Sequence, residues 1–206
     1  MADDRPWENE PDSLDFEADG LPCVMRRGAR GVWCGYVGVP ADHPLFGLPV
    51  NHLLKLPMAW FAGRTPLEGG SPIDIVMHAA RGKAIDEECE ISLALEVHGG
   101  VNYAEDHVGD HPIDDRWWFG FDCGHAWDRA PNNDNISEFL DVMVESMPEH
   151  VRDTMRRIVR GDHNNAKYRD QQYVVAECQS LAAQLNAIAK VIQGEPAGVG
   201  THDRRA

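Results

Sequence analysis

The sequence predicts an α+β fold: a mainly antiparallel or mixed sheet from the N-terminal two-thirds, packed against C-terminal helices. Three observations predict it. Apolar residues alternate with period two in several runs before residue 123, the signature of half-buried strands. After residue 135 the spacing changes to three and four, the signature of amphipathic helices. The chain has 206 residues, 43% hydrophobic and 26% charged, enough for one ordinary core.

The first strands are residues 23–27 and 31–39, two β-prone runs separated by Gly28-Ala29-Arg30. Glycine there suits a hairpin turn, so these two should pair. Residues 40–72 are rich in Pro and Gly and read as a long ordered loop. A short strand is expected at 73–78. Residues 91–98 read as a strand, with Ile91, Leu93, Leu95 and Val97 on one face. Residues 116–122 alternate too, placing Trp117, Phe119 and Phe121 inward and Trp118, Gly120 and Asp122 outward.

Ile136, Phe139, Leu140, Met143 and Met147 fall at helical spacing. Pro148 then opens a second helix that ends at Gly161. Val174, Cys178, Leu181, Leu185, Ile188 and Ile192 mark the most regular helix, stopped by Gly194. Its stripe fits a helix laid on the sheet better than a coiled-coil seam, although residues 169–192 also offer a route to a homodimer. Residues 1–20, rich in Asp, Glu and Pro, read as a disordered acidic arm. Residues 21–193 form one domain, and 194–206 a flexible tail.

The formal charge is −15, from 34 acidic and 19 basic residues. Such a surface repels phosphate backbones and disfavours a nucleic-acid polymer as partner, while leaving room for one small anion in a local pocket. No apolar run approaches a membrane span, so no membrane partner is expected. The N-terminus lacks the basic start and apolar stretch of a signal peptide. Five scattered cysteines without a CxxC pair read as free thiols, which points to the cytoplasm.

Chemistry concentrates in two segments, Val97-His98-Gly99-Gly100-Val101-Asn102-Tyr103 and the run from Trp117 to Asp128. Each begins as a strand and ends in glycine, which lets backbone N–H groups approach a ligand. If 91–98 and 116–122 are neighbours running the same way, His98, Asp122 and His125 meet at one sheet edge. If they are antiparallel, those residues separate. His98, Asp122, His125 and Asp128 are the candidate ligands for a divalent metal such as Zn or Mn. His125 is also a candidate general base oriented by Asp122 or Asp128, and Cys123 a weaker candidate nucleophile. Trp118 and Trp127 are the candidate stacking platforms for a base or sugar. His43, fixed before Pro44, is expected to point toward the same site. A binding surface of His43, His98, Gly99, Gly100, Trp118, Asp122, His125 and Trp127 follows.

Three stretches carry a resemblance: Gly35-Tyr36-Val37-Gly38-Val39-Pro40 with His43-Pro44-Leu45, then Val97-His98-Gly99-Gly100, then Trp117-Trp118-Phe119-Gly120-Phe121-Asp122-Cys123-Gly124-His125-Ala126 with Asp128. The chain resembles, over about residues 32–190, an uncharacterised family of small proteins of bacteriophages and prophages. The resemblance implies a host-cytoplasmic setting and no particular reaction. Three functions are carried forward. The first is a non-enzymatic binder of a small polar ligand, nucleotide-derived, that sequesters a host signal. The second is a metal-dependent hydrolase using the His/Asp residues. The third is an acidic factor that binds a host protein.

Overall fold

The computed structural model describes residues 5–57, 60–61, 88–110, 114–125, 128–131, 144–152 and 166–194. In chain order the elements are β1 (Ser13–Ala18), β2 (Leu21–Arg27), β3 (Trp33–Pro40), β4 (Leu53–Leu54), β5 (Cys89–Glu90), α1 (Ile91–Ala94), β6 (Tyr103–Glu105), β7 (Arg116–Asp122) and α2 (Gln171–Ile192). Five strands form an antiparallel sheet in the order β1-β2-β3-β7-β6, and β4 pairs with β5 apart from it. The α+β class and the β2–β3 hairpin are as the sequence predicts. Among the described residues no helix is long and apolar enough to cross a membrane.

Register decides what faces the helix. Cys23 lies opposite Val37, Met25 opposite Gly35, and Gly35 opposite Phe121. These residues, with Trp33, Val39 and Phe119, make a continuous buried face. α2 lies on it through Val174, Cys178, Leu181, Leu185 and Ile188, all fully buried. Each such side chain contributes about 1.5–3 kcal/mol on leaving water. Gly35 permits the close approach, because a β-carbon there would sit 2.7 Å from both the Cys178 sulfur and the Phe121 ring. The part of the stripe from Val174 to Ile188 is therefore covered by the chain's own sheet.

Several expectations are corrected. Residues 13–18, read as part of a disordered acidic arm, form edge strand β1, with Leu14, Phe16 and Ala18 turned to the core and Asp15 paired with Arg26 at 2.7 Å. Residues 5–12 are anchored as well. The Glu10 carboxylate accepts from Arg27 Nη2 (2.6 Å), Trp33 Nε1 (3.0 Å), the Tyr168 hydroxyl (2.6 Å) and the Gln171 amide (2.9 Å). Burial alone would raise the Glu10 pKa, but these donors together hold it below the ordinary value.

Residues 91–98 are not a strand. The buried apolar positions are Ile91, Ala94 and Leu95, which is helical spacing; Ile91–Ala94 form the single turn α1 and Leu95 caps it. The stretch that follows bonds to α2 side chains. The Gln184 carboxamide accepts from the Glu96 amide and donates to the Glu96 carbonyl, both at 2.7 Å. Glu177 accepts from the His98 amide at 2.8 Å. The strand expected at 73–78 lies outside the described residues, as do most of the two helices expected between 136 and 161 and the tail beyond Gly194.

Candidate functional site

On the side away from β3, the neighbour of β7 is β6, which follows His98, and the pair is antiparallel. Residues just before β6 therefore lie beside residues just after β7. The Asn102 amide donates to the Gly120 carbonyl at 3.0 Å, and the Cys123 amide to the Trp33 carbonyl at 2.9 Å, which fixes both chain ends at this rim. The antiparallel pair that joins His98 to His125 is β6 with β7, and not a pairing of residues 91–98 with 116–122. The ring centroids of His98 and His125 are 5.1 Å apart, edge to face. Gly99, at φ +67°, leaves the space that the His125 ring fills.

Asp128 is the centre of the group. Its Oδ2 lies 2.7 Å from His98 Nε2, 3.2 Å from His125 Nδ1 and 3.2 Å from the His125 amide. Its Oδ1 accepts from Arg169 Nε at 2.9 Å. The Asp128 side chain is wholly buried. Burial alone would raise its pKa. Hydrogen bonds from His125 and His98, the charge of His98 and the bond from Arg169 outweigh that and hold the carboxyl far below the usual range. An ionised carboxylate only accepts, so both ring nitrogens facing it carry protons. In neutral His98 the other nitrogen, Nδ1, then accepts from the Tyr173 hydroxyl at 3.0 Å. Arg169 also stacks on the Tyr173 ring at 4.8 Å.

One donor atom each from His98, His125 and Asp128 lie within 4.8 Å of one another. Two imidazoles and a carboxylate suit zinc, manganese or iron. The His125 side chain keeps 21% of its surface exposed, so the group is reachable from water.

Of the residues singled out from sequence, His98, Gly99, His125 and Asp128 are together. Gly100 completes the turn at φ +89°, donating to the Val97 carbonyl at 3.0 Å. Asp122 points to the other face of the sheet, where it accepts from Asn102 Nδ2 (2.6 Å) and the Gly124 amide (2.7 Å). Trp118 is on that face too, 1% exposed, packed with Val24 and Val108 and donating to Asp114 at 3.2 Å. It offers no open ring for stacking. His43 is buried and bonded to the Leu185 carbonyl and the Leu45 amide. Leu185 is eight residues beyond Glu177 on α2, about 12 Å along the axis. Trp127 lies outside the described residues. Cys123 is buried beside Asp128, and burial followed by that charge drives its thiol pKa strongly upward, the opposite of an activated nucleophile.

Arg169, Tyr173 and Glu177 were not found from sequence. The available signal was a pair of polar residues, Tyr173 and Glu177, on the stripe of Val174 and Cys178 that otherwise faces the core. Comparison of the chain with protein-family models, with curated proteins and with solved structures returned no match.

Proposed function

We propose that the chain is a metal-dependent hydrolase whose centre is His98, His125 and Asp128. The observation that carries this reading is the convergence of three donors of the right chemistry, one of them a buried carboxylate, at a partly open rim. Among the described residues the donors number three, which leaves coordination positions for water and substrate, the pattern of catalytic rather than structural sites. The ion would supply a bound water acidified toward neutral pH. Outer partners are in place: the Tyr173 hydroxyl at the far nitrogen of His98 and Arg169 at the far oxygen of Asp128. Binding requires each ring to move its proton to the other nitrogen, and in His98 that proton then faces the Tyr173 oxygen.

The reading ranks above the signal-sequestering binder because Trp118, one of that binder's two aromatic platforms, is enclosed in the sheet's second core. No specific contact favours the acidic interaction factor. The phage resemblance supplies a setting for any of the three.

The test is titration of chelator-treated protein with Zn²⁺ and with Mn²⁺, read by calorimetry and melting temperature. We expect one equivalent bound, a raised melting temperature, and loss of both in His125→Ala. Absence of stoichiometric binding of either ion would leave Asp128 as a structural anion held by two histidines and an arginine.

A further inference from the structure

The N-terminal segment grips the two pieces of chain that bring Asp128 and Arg169 together. Its composition, rich in Asp, Glu and Pro, offers little to bury, and none of residues 5–12 belongs to the apolar core. Polar and aromatic contacts hold it at two points. The first is Trp7, in the 3-10 turn Pro6–Glu8. Its ring meets Tyr168 edge-on at 5.0 Å, and the Arg129 guanidinium lies 4.8 Å from its centroid. Arg129 follows Asp128, and Tyr168 precedes Arg169. The two pieces run side by side: Asp128 is bridged to Lys167, and the Arg129 amide donates to the Lys167 carbonyl at 3.1 Å. Trp7 therefore touches one residue from each.

The second point is Glu10, which straddles Arg169. Its Oε2 accepts from the Tyr168 hydroxyl at 2.6 Å and its Oε1 from the Gln171 amide at 2.9 Å. Asp170, in between, caps α2 by accepting from the Tyr173 amide at 2.8 Å. Arg169 is left facing Asp128, with Nε 2.9 Å from Oδ1. On its other side the segment hangs from β2. The Pro11 carbonyl accepts from Arg27 Nε at 3.2 Å, the Asp12 carbonyl from the Arg27 amide at 2.9 Å, and the Glu10 carboxylate from Arg27 Nη2 at 2.6 Å. If the segment lifts, Arg27 keeps the Gly31 carbonyl, the Tyr168 hydroxyl and the Trp33 face. α2 keeps its apolar stripe on the sheet. A segment with few buried apolar contacts opens locally at a fraction of the cost of global unfolding. The fold outlasts such a detachment; the fixed approach of Arg169 to Asp128 does not.

We propose that residues 5–12 are a detachable latch, with Trp7 and Glu10 as positioning residues that hold Arg169 on Asp128 and so keep the His98–Asp128–His125 geometry closed. The latch concerns the orientation of a carboxylate and not an ion, so it stands apart from the hydrolase reading. With the segment docked, Asp128 Oδ1 is pinned by Arg169 and Oδ2 stays on the His98 ring. With it lifted, the piece 167–171 loosens, the carboxylate turns, and water reaches His98 Nε2.

The test follows histidine ring N–H protons by NMR in chelator-treated, ¹⁵N-histidine-labelled full-length protein, reading their exchange with water. His43 supplies the internal control. Its Nε2 lies 3.0 Å from the Leu185 carbonyl, and Leu185 is about 21 Å along the α2 axis from Gln171. A general loss of stability speeds both protons alike; release of the latch speeds only that of His98. We expect Trp7→Ala/Glu10→Ala to accelerate exchange at His98 Nε2 about tenfold and at His43 less than about twofold. Trp7→Ala alone, which leaves Arg27 its carboxylate, should accelerate His98 about threefold, and it decides the matter if the double variant does not fold. Equal acceleration at the two histidines would reduce the segment to a stabilising strap and overturn the proposal. Unchanged exchange at His98 would do the same, as would a His98 proton already lost to water in the wild type. Because no ion is added, failure of zinc or manganese to bind would strike the hydrolase reading and leave this result standing.

Discussion

The imidazole of His125 occupies the space that a β-carbon on residue 99 would fill, and Gly99 holds a φ of +67° that other residues adopt at a cost. The two effects add in Gly99→Ala, which should lose roughly 2–4 kcal/mol of stability. Gly109 supplies the control: its φ is +52°, but nothing lies within 4 Å of its virtual β-carbon. Gly109→Ala should lose only the backbone part, about 1 kcal/mol. Urea midpoints for the two variants decide the matter. Equal losses would mean that the imidazole is not held against residue 99.

Asp128→Asn leaves two ring N–H groups and Arg169 facing a neutral amide. A loss of about 3–5 kcal/mol at pH 7 is expected, the usual cost of breaking a buried charged group's partnership. The Asp128 carboxyl is held below its ordinary value, so its stabilisation is fully present above the unfolded pKa of about 3.9 and fades as pH falls through the folded value. The gap between wild type and variant should therefore narrow below about pH 4. A gap constant from pH 7 to pH 3 would show that the carboxylate's charge contributes nothing.

His43 should impose a second pH dependence, with a different origin. The Leu45 N–H donates to Nδ1 at 3.1 Å, so that nitrogen carries no proton, and Nε2–H faces the Leu185 carbonyl at 3.0 Å. Burial, the largest influence, lowers the His43 pKa. The unfolded chain thus takes up the proton first, and stability contributed by the neutral ring is present above about pH 6.5 and is lost as pH falls. Chemical denaturation at pH 7.5 and pH 5.5 should show His43→Gln costing about 1–3 kcal/mol at the higher value and less at the lower. A larger cost at pH 5.5 would reverse the assigned tautomer.

Glu10 ties the N-terminal segment to β2, β3 and the start of α2. Glu10→Ala takes the buried carboxylate from Arg27, whose side chain is only 9% exposed and keeps Asp12 at 3.6 Å and the Gly31 carbonyl at 2.8 Å, and should lose about 3 kcal/mol. Glu10→Gln keeps two acceptor lone pairs and should retain part of that. Removal of residues 1–12 should match Glu10→Ala within about 1 kcal/mol if the carboxylate is the anchor. A deletion without effect on the melting temperature would return this segment to the mobile arm that its composition suggests.

The β2–β3 hairpin and α2 were legible because each has one period and a glycine at its boundary. β1 carried the same signal, Leu14, Phe16 and Ala18 alternating with Asp15 and Glu17, but its acidity read as disorder. Residues 91–98 contain two periods at once: Ile91-Leu93-Leu95-Val97 for a strand and Ile91-Ala94-Leu95 for a helix. Partners distant in sequence decide between them: the carbonyls of Val50 and His52 at its start and the side chains of Gln184 and Glu177 at its end. Trp118 was misplaced because the second face of β7 is also covered, by Val24 and Val108. The meeting of His98 with His125 was legible as composition and not as topology. The strand that creates it, β6, is three residues long and starts after the glycines.

The last pieces of the histidine–aspartate cluster to be synthesised are Arg169, Tyr173 and Glu177 on α2. During translation His98 and Asp128 leave the ribosome long before those partners exist, so the carboxylate meets solvent until the helix docks. On the metal-centre reading, an ion met before α2 docks would find His98, His125 and Asp128 without Arg169 and Tyr173 behind them. Assembly of the centre thereby reports completion of the whole fold.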